Sequence, residues 1–342
     1  MPSYLFVWLF LLGISLGAMA LLFLHNLTGG DWGDSIRPLL MALVRLIPYC
    51  ALLVIPLLLR LPVLFSWMQA SNIARPETES TQAWYLNETF FWIRSVLYFV
   101  LWIGFGYLLQ RQPTAGTSAA SLPNGASAVG LVLYLLTTTF ASIDWTMSLT
   151  PQWHSTEFGL LISIGQVLSA LAFCVAGIAW SEHANRARLL ACLPDLGNLL
   201  LALVLFWSYL VFMQFLIIWI EDLPNDISWY LPRAQEGWRG FALLLVCVHF
   251  AVPFVFLLSR RIKQTHQSLG VLAALLIFAC LIDTFWLVIP PFRPEGFEFR
   301  WNDLLALLAI GGVWFGLFMR ITHTHARTAD WSPIGDRTVH HA

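Results

Sequence analysis

Residues 4–24, YLFVWLFLLGISLGAMALLFL, form an uncharged and almost entirely apolar run near the start of the chain. A helix needs about 20 such residues to cross roughly 30 Å of hydrocarbon, so this run is long enough for a membrane span. It is too long for the apolar region of a signal peptide, and no basic segment precedes it. We therefore predict that residues 3–25 form a first transmembrane helix.

The composition of the whole chain fits the same class. Of the 342 residues 58% are hydrophobic and 11% are charged, against about 25% charged residues in a typical soluble domain. The formal net charge of −1 offers no basic surface for a nucleic acid. We predict an all-α polytopic membrane protein with nine transmembrane helices, the other eight spanning about 37–60, 89–110, 126–148, 156–180, 196–220, 239–259, 269–290 and 302–320.

The basic residues orient these spans. Ten Arg or Lys residues fall on the side opposite Met1 and six on the Met1 side, and the short loop that holds Arg260, Arg261 and Lys263 is the strongest indicator. Because cytoplasmic loops carry an excess of Lys and Arg, we predict an external N-terminus and a cytoplasmic C-terminus.

Three short sequence matches recur in the same order, each four spans apart. They favour a parallel duplication about an axis along the membrane normal, although Ser, Gly, Pro and Trp are common at helix ends and such matches also arise by chance. The predicted organisation is a single membrane domain, 1–342, with four-helix bundles at 1–150 and 151–295 and a peripheral helix and tail at 296–342. The matches are ISLG at 14–17 with ISIG at 162–165, LP and SW at 61–67 with 223–229, and ID before a proline at 143–151 with 282–290.

Five ionisable residues lie inside these spans, where a charge is costly unless it is paired or hydrated. Arg45 stands apart, two turns in from the cytoplasmic end of the second span. Arg94 and Asp144 belong to the first bundle, and His249 and Asp283 to the second. We predict that Asp144 and Asp283 relay protons and that Arg94 and His249 pair with them or tune them. The alternative is that these groups only fix helix packing. For His249 taken alone, the alternative is an ordinary histidine of the core.

Metal and haem chemistry find little support. The five cysteines are scattered without a CxxC motif, whereas zinc and iron–sulfur sites need clustered thiols. A b-type haem needs two facing ligands, and His249 is the only histidine deep in a span. We expect no metal site and no covalently bound cofactor.

The segment 140–159, FASIDWTMSLTPQWHSTEFG, is the most specific motif of the chain. It resembles the NrfD-like (polysulfide-reductase-type) membrane proteins and, within them, the ActF-type subunits of alternative complex III, a bacterial quinol-oxidising complex. Weaker agreement covers most of the chain, at 24–33, 214–230, 249–260 and 283–303. Physical chemistry also offers an ordinary interpretation of Trp145 and Trp153 as anchors at the membrane interface.

The resemblance implies a subunit of a quinol:cytochrome c oxidoreductase in the bacterial cytoplasmic (inner) membrane, without independent enzymatic activity. Its implied partners are a sister NrfD-like subunit, an iron–sulfur subunit, a multi-haem c subunit and a terminal oxidase, besides membrane lipids. The clusters and haems would lie in those partners. Quinone is the candidate ligand here, with Trp145, Glu157 and Trp286 as candidate contacts.

Two departures from the family pattern limit the comparison. The family has a further helix before the first span found here, and Glu221 and Asp222 stand where the family leads us to expect an Asn. Two other functions stay open at this point. One is a structural subunit whose outer loops, 61–88 and 221–238, dock the cofactor-bearing proteins, and the other is a stand-alone secondary transporter.

Overall fold

The computed structural model describes residues 1–69, 85–111, 124–180, 186–222 and 224–328. All regular secondary structure in these ranges is helical. Within them, nine helices are long and apolar enough to cross a membrane, which confirms the predicted class and number of spans. They are α1 (Pro2–Thr28), α2 (Asp31–Leu58), α3 (Glu88–Gln110), α4 (Asn124–Trp145), α5 (Phe158–Ala179), α6 (Arg186–Glu221), α7 (Trp238–Leu258), α8 (His266–Val288) and α9 (Trp301–Thr328).

Two helices extend well beyond the predicted apolar runs. Helix α6 begins at Arg186, ten residues before the predicted start at 196, and α9 continues to Thr328 instead of ending near 320. At 1.5 Å per residue, the 36 residues of α6 measure about 54 Å, far more than the hydrocarbon thickness. Hydropathy marks only the part of a helix that lies in lipid, so it misses turns that continue into the aqueous phase.

Shorter elements lie between the spans on the Met1 side, the side of the membrane where α1 begins. Four-residue helices occur at Leu61–Leu64, Ser66–Gln69, Pro224–Ile227 and Tyr230–Arg233. Other parts of the predicted loops, residues 70–84, 112–123 and 223, lie outside the described residues.

Helix α1 is the centre of the molecule. It packs against α2, α3, α4, α5, α8 and α9 and is buried along nearly its whole length. Its closest approach is to α5, where a Cβ added at Gly17 would lie 2.0 Å from the carbonyl oxygen of Gln166. Gly13 and Gly17 form a GxxxG pattern, the small-residue spacing that lets two membrane helices approach at backbone distance.

The helices make corresponding contacts within the two predicted four-helix units, and the duplication itself stays a prediction. Helix pairs α1–α2, α2–α3, α3–α4 and α1–α4 are in contact, and so are their counterparts α5–α6, α6–α7, α7–α8 and α5–α8. The boundary near residue 150 stays a prediction. Helix α9 lies at the periphery, where Trp314 and Phe318 pack on Phe173 of α5 while most of its surface is exposed.

Candidate functional site

Asp144 and Arg94 form a buried ion pair between α4 and α3. The Arg94 Nε donates to Asp144 Oδ2 at 2.9 Å and Nη2 donates to Oδ1 at 2.7 Å, so the contact is bidentate. The Tyr98 hydroxyl donates to Oδ2 at 2.8 Å. Asp144 is completely buried, and the Arg94 side chain is 17% exposed. The structure therefore brings together the two groups predicted to pair in the first bundle.

This pair begins a ladder of polar contacts between α3 and α4. Arg94, Tyr98 and Trp102 stand four residues apart on one face of α3, and Trp102 Nε1 donates to Thr137 Oγ1 at 2.9 Å. Ser95, the residue after Arg94 on α3, accepts a hydrogen bond at its Oγ from Trp145 Nε1 of α4 at 3.3 Å. The Asp144 carboxylate thus accepts three hydrogen bonds, two from Arg94 and one from Tyr98.

The interpretation of Trp145 and Trp153 as interfacial anchors is wrong. Trp145 is 6% exposed and packs against Trp8 and Trp102, and Trp153 is 1% exposed and stacks on Trp229 at 4.3 Å between ring centroids. Sequence patterns place a tryptophan near the end of a span but do not say whether it faces lipid or protein.

The second bundle holds Asp283 in a different environment. Asp283 Oδ2 accepts a hydrogen bond from Trp207 Nε1 of α6 at 3.1 Å. No Arg or Lys contact with its carboxylate is found among the described residues. A carboxyl group without a cationic partner is the kind of group that can gain and lose a proton inside a membrane protein.

His249 shares a neighbour with Asp283 but is not paired with it. Its ring stacks on Trp207 with 3.7 Å between centroids, and its Nε2 lies 3.7 Å from the Cys280 sulfur. Its Nδ1 is buried without a hydrogen-bond partner. His249 lies in a π-helical turn of α7, Val246–Ala251, a feature that often accompanies functional positions. The predicted acid–base pair of this bundle is thus bridged by an indole instead of joined directly.

Two small cavities flank Gln166, a polar residue near the middle of α5. The first, of about 60 Å³, is lined by Asp283, Thr284, Ser169 and Gln166, among others. The second, of about 20 Å³, is lined by Thr138, Ser142, Trp145 and Gln166, among others. Thr146 also borders both. A water molecule needs about 10–15 Å³ on this measure, so the cavities have room for several waters and for one, respectively.

These cavities do not fit a quinone. Ligand sites for molecules of that size are typically about 300–1,000 Å³, whereas the larger cavity here is about 60 Å³. Trp145 lies against the smaller cavity, and neither Glu157 nor Trp286 lines either one. The three candidate quinone contacts are therefore not grouped around either of these two cavities.

Trp286 lies instead beside a buried arginine on the Met1 side, Arg233, and Tyr230 is close to both this arginine and Glu157. Arg233 is 3% exposed and donates to the carbonyl oxygens of Trp229 at 2.7 Å, Leu287 at 2.7 Å and Trp286 at 3.2 Å. Its guanidinium carbon lies 3.3 Å from the centroid of the Trp229 ring. Burial lowers the pKa of Arg233, and desolvation raises the pKa of the half-buried Glu157 carboxyl.

Arg233 acts as a cap on the C-terminal end of α8. Leu287 and Trp286 are among the last residues of that helix, where unpaired carbonyl groups and the helix dipole favour a cation. We expect Arg233→Met to lower the free energy of unfolding by about 2–3 kcal/mol, because up to three charge-assisted hydrogen bonds are lost. Thermal unfolding in detergent measures the change. Arg239→Met, an exposed arginine of the same region, is the control, and an equal loss in both variants would contradict the capping role.

Neither the family models nor the curated proteins contain a match to this chain. Within the described residues, no group of three or more His, Cys, Asp or Glu side chains could hold a metal ion.

Sequence reasoning missed several residues of this region. Tyr98 could have been found, because it stands one helical turn from Arg94 on the predicted face of α3. Gln166 could have been singled out as a polar residue in the middle of an apolar span. Trp207 and Arg233 carry no comparable signal, since their contacts join segments far apart in the chain.

Proposed function

We propose that this multi-pass helical membrane protein is a subunit of a bacterial respiratory quinol:electron-acceptor oxidoreductase and contributes a proton path between its two bundles. The electron-carrying centres and the quinol site would belong to other subunits. The family resemblance of segment 140–159 supports the assignment to the complex. The polar cavity beside Asp283 supports the assignment of a proton path.

The observation that carries the proposal is the position of Asp283. Its side chain borders the larger cavity, and hydroxyl and amide groups continue from there through Thr146 and Gln166 to the smaller one. The Gln166 amide is oriented because Tyr134 donates to its Oε1 at 3.0 Å. A carboxyl group, water-sized spaces and fixed polar side chains are the parts that a proton relay requires.

The same geometry separates the two carboxyl groups that the sequence treats alike. Asp144 is held by Arg94 and Tyr98 and lines neither cavity. We assign the proton-carrying role to Asp283 and the role of a structural ion pair to Asp144.

Asp283→Asn tests this assignment in the purified native complex reconstituted into vesicles. The amide keeps the shape of the side chain and an acceptor for Trp207 but cannot carry a proton. We expect quinol oxidation and proton release to fall by about tenfold or more, with the subunit composition of the complex unchanged. Asp283→Glu keeps a carboxyl group and should retain most of the activity.

The control that distinguishes a relay from a structural role is Gln166→Leu, which interrupts the polar connection without touching Asp283. It should lower proton release together with turnover. If Asp283→Asn leaves both rates unchanged in an intact complex, the relay is wrong and a scaffold role replaces it. Neighbouring genes for iron–sulfur and multi-haem proteins would argue against a stand-alone transporter.

A further inference from the structure

A row of buried polar side chains on α4 extends beyond the smaller cavity, toward the side opposite Met1. Thr138 is followed by Tyr134 four residues back along the helix and by Ser127 seven residues further. This spacing places all three on one face of α4, and all three are buried. Buried polar groups between apolar helices are costly unless they have a partner or a water molecule, so the whole row needs an explanation.

Tyr134 and Thr138 continue the polar groups around Gln166. The Tyr134 hydroxyl donates to Gln166 Oε1 at 3.0 Å. Thr138 borders the smaller cavity, and its Oγ1 lies near the Tyr134 hydroxyl without a well-formed hydrogen bond. A water molecule in that cavity would satisfy the threonine hydroxyl. The polar connection that begins at Asp283 therefore reaches Tyr134.

At the other end of the row, Ser127 is joined to charged groups where α1 turns into α2. Asn26 Nδ2 of α1 donates to Ser127 Oγ at 3.3 Å, and Arg37 Nη1 of α2 donates to Asn26 Oδ1 at 3.1 Å. The same Arg37 nitrogen lies 3.4 Å from His25 Nδ1. A continuous set of polar contacts thus leads from α4 to the histidine.

His25 connects these groups to the outside of the protein. Its Nε2 lies 3.0 Å from the Gly30 carbonyl oxygen and 3.6 Å from Asp34 Oδ1. The imidazole is 8% exposed, whereas the Asp34 side chain is 39% exposed. The ring packs directly on Gly33, where a Cβ would lie 2.0 Å from His25 Cδ2. A histidine can gain and lose a proton, and an exposed carboxylate beside it can exchange that proton with water.

One aromatic ring interrupts the row between Ser127 and Tyr134. These two residues are about 10 Å apart along the helix. Gly130 lies between them, and a Cβ there would lie 2.5 Å from Phe23 Cζ. The buried Phe23 ring therefore covers α4 where the polar side chains are missing. An apolar constriction of this kind keeps water out of a polar path.

We propose that the turn cluster takes up protons from the side opposite Met1, and that Phe23 is the barrier between this cluster and the relay ending at Asp283. The turn cluster consists of His25, Asn26, Asp34 and Arg37. This inference rests on the proposed proton path and adds the source of its protons. A proton bound at the turn cluster passes Ser127 and Tyr134 when the Phe23 ring moves aside, and it replaces the proton that Asp283 releases. Quinol oxidation in neighbouring subunits, as proposed, supplies the free energy.

Phe23→Ala tests the barrier in vesicles that hold the purified native complex without quinol. Removing the ring opens the path beside Gly130, so we expect the proton leak of the resting complex to rise about tenfold or more. Adding Asp283→Asn should return the leak toward the wild-type level, because the leaking proton passes through that carboxyl group. The matched control is Phe91→Ala, an equally buried phenylalanine that packs on Phe65 and Trp67 and should not leak.

Ser127→Ala tests the entrance with a change too small to disturb the core. Proton uptake during quinol oxidation is followed with a pH indicator enclosed in vesicles whose interior faces the side opposite Met1. We expect the uptake rate to fall about tenfold, since the only change is the loss of one hydroxyl from the path. Ser15→Ala is the control, because the buried Ser15 hydroxyl donates to the Leu11 carbonyl oxygen of its own helix, and its uptake rate should equal that of the wild type.

The failure of this entrance and the failure of the proton path give different results. If Asp283→Asn leaves proton release unchanged, the path itself is wrong. If Asp283→Asn stops proton release while Ser127→Ala takes up protons at the wild-type rate, the relay stands and the entrance at the turn cluster is wrong. An equal leak in Phe23→Ala and Phe91→Ala, or no leak in either, overturns the barrier.

Discussion

Gly17→Leu is expected to prevent the chain from reaching its folded state, and Gly17→Ala to destabilise it strongly. A Cβ at this position would lie 2.0 Å from the Gln166 carbonyl oxygen and 2.8 Å from the Val167 nitrogen. Both are backbone atoms of α5 and cannot rotate away, so α1 and α5 would have to separate. Because α1 touches six other helices, that separation loosens the whole core. We expect Gly17→Ala to cost at least about 3 kcal/mol.

Gly165→Ala is the matched control for this prediction. Gly165 belongs to the neighbouring helix of the same crossing, but an added Cβ there meets nothing within 4 Å. Its effect should be within about 0.5 kcal/mol of the wild-type protein. Size-exclusion chromatography after heating in detergent measures both variants. If Gly17→Ala melts within a degree or two of Gly165→Ala, the close crossing of α1 and α5 is wrong.

Arg94→Ala has the second largest expected effect, about 3–5 kcal/mol of lost stability. The substitution leaves the fully buried Asp144 with the Tyr98 hydroxyl and without its cation. The cost arises from the isolated charge more than from the lost contact. Arg94→Ala combined with Asp144→Ala should therefore recover a large part of the stability that the single variant loses. Arg94→Lys should recover less than half, because an ammonium group cannot make the bidentate contact.

Arg111→Ala provides the comparison on the same helix. Arg111 is exposed at the end of α3 and bonds to Tyr107 one turn away. An exposed contact of this kind contributes little, so its loss should change stability by less than about 0.5 kcal/mol. Thermal melting of the wild-type protein, Arg94→Ala, Asp144→Ala and the double variant gives the coupling between Arg94 and Asp144. A double variant no more stable than Arg94→Ala would show that the pair is not a unit.

The class of the protein and the number of its spans follow from hydropathy alone. A helix in lipid must be apolar over about 20 residues, so its signal is continuous and local. The pairing of Arg94 with Asp144 was also predictable, because two opposite charges in one bundle have few other ways to be neutralised. In both cases the alternative, polar residues in a lipid-facing span or an unpaired charge in a bundle, costs so much free energy that one arrangement is left.

The sequence could not supply the details that depend on how each helix is rotated about its axis and how it crosses its neighbours. Both bundles contain an aspartate near the Met1 side, but only the structure shows that Asp283 borders a cavity while Asp144 does not. His249 faces Trp207 and Cys280 instead of Asp283 because the helices of the second bundle present those side chains to each other. Apolar spans have weak periodicity, so their buried faces cannot be read from hydropathy.

The enclosure of α1 has a consequence for biogenesis. This helix is the earliest of the nine to emerge during synthesis, yet its neighbours α5, α8 and α9 are made later, up to the far end of the chain. Until then its Gly13 and Gly17 surface faces lipid, which its apolar side chains tolerate at no cost. Insertion into the membrane and completion of the core are therefore separate stages. A chain that stops before α5 leaves the Gly13 and Gly17 surface of α1 without its partner helix, so other membrane helices can pack against it.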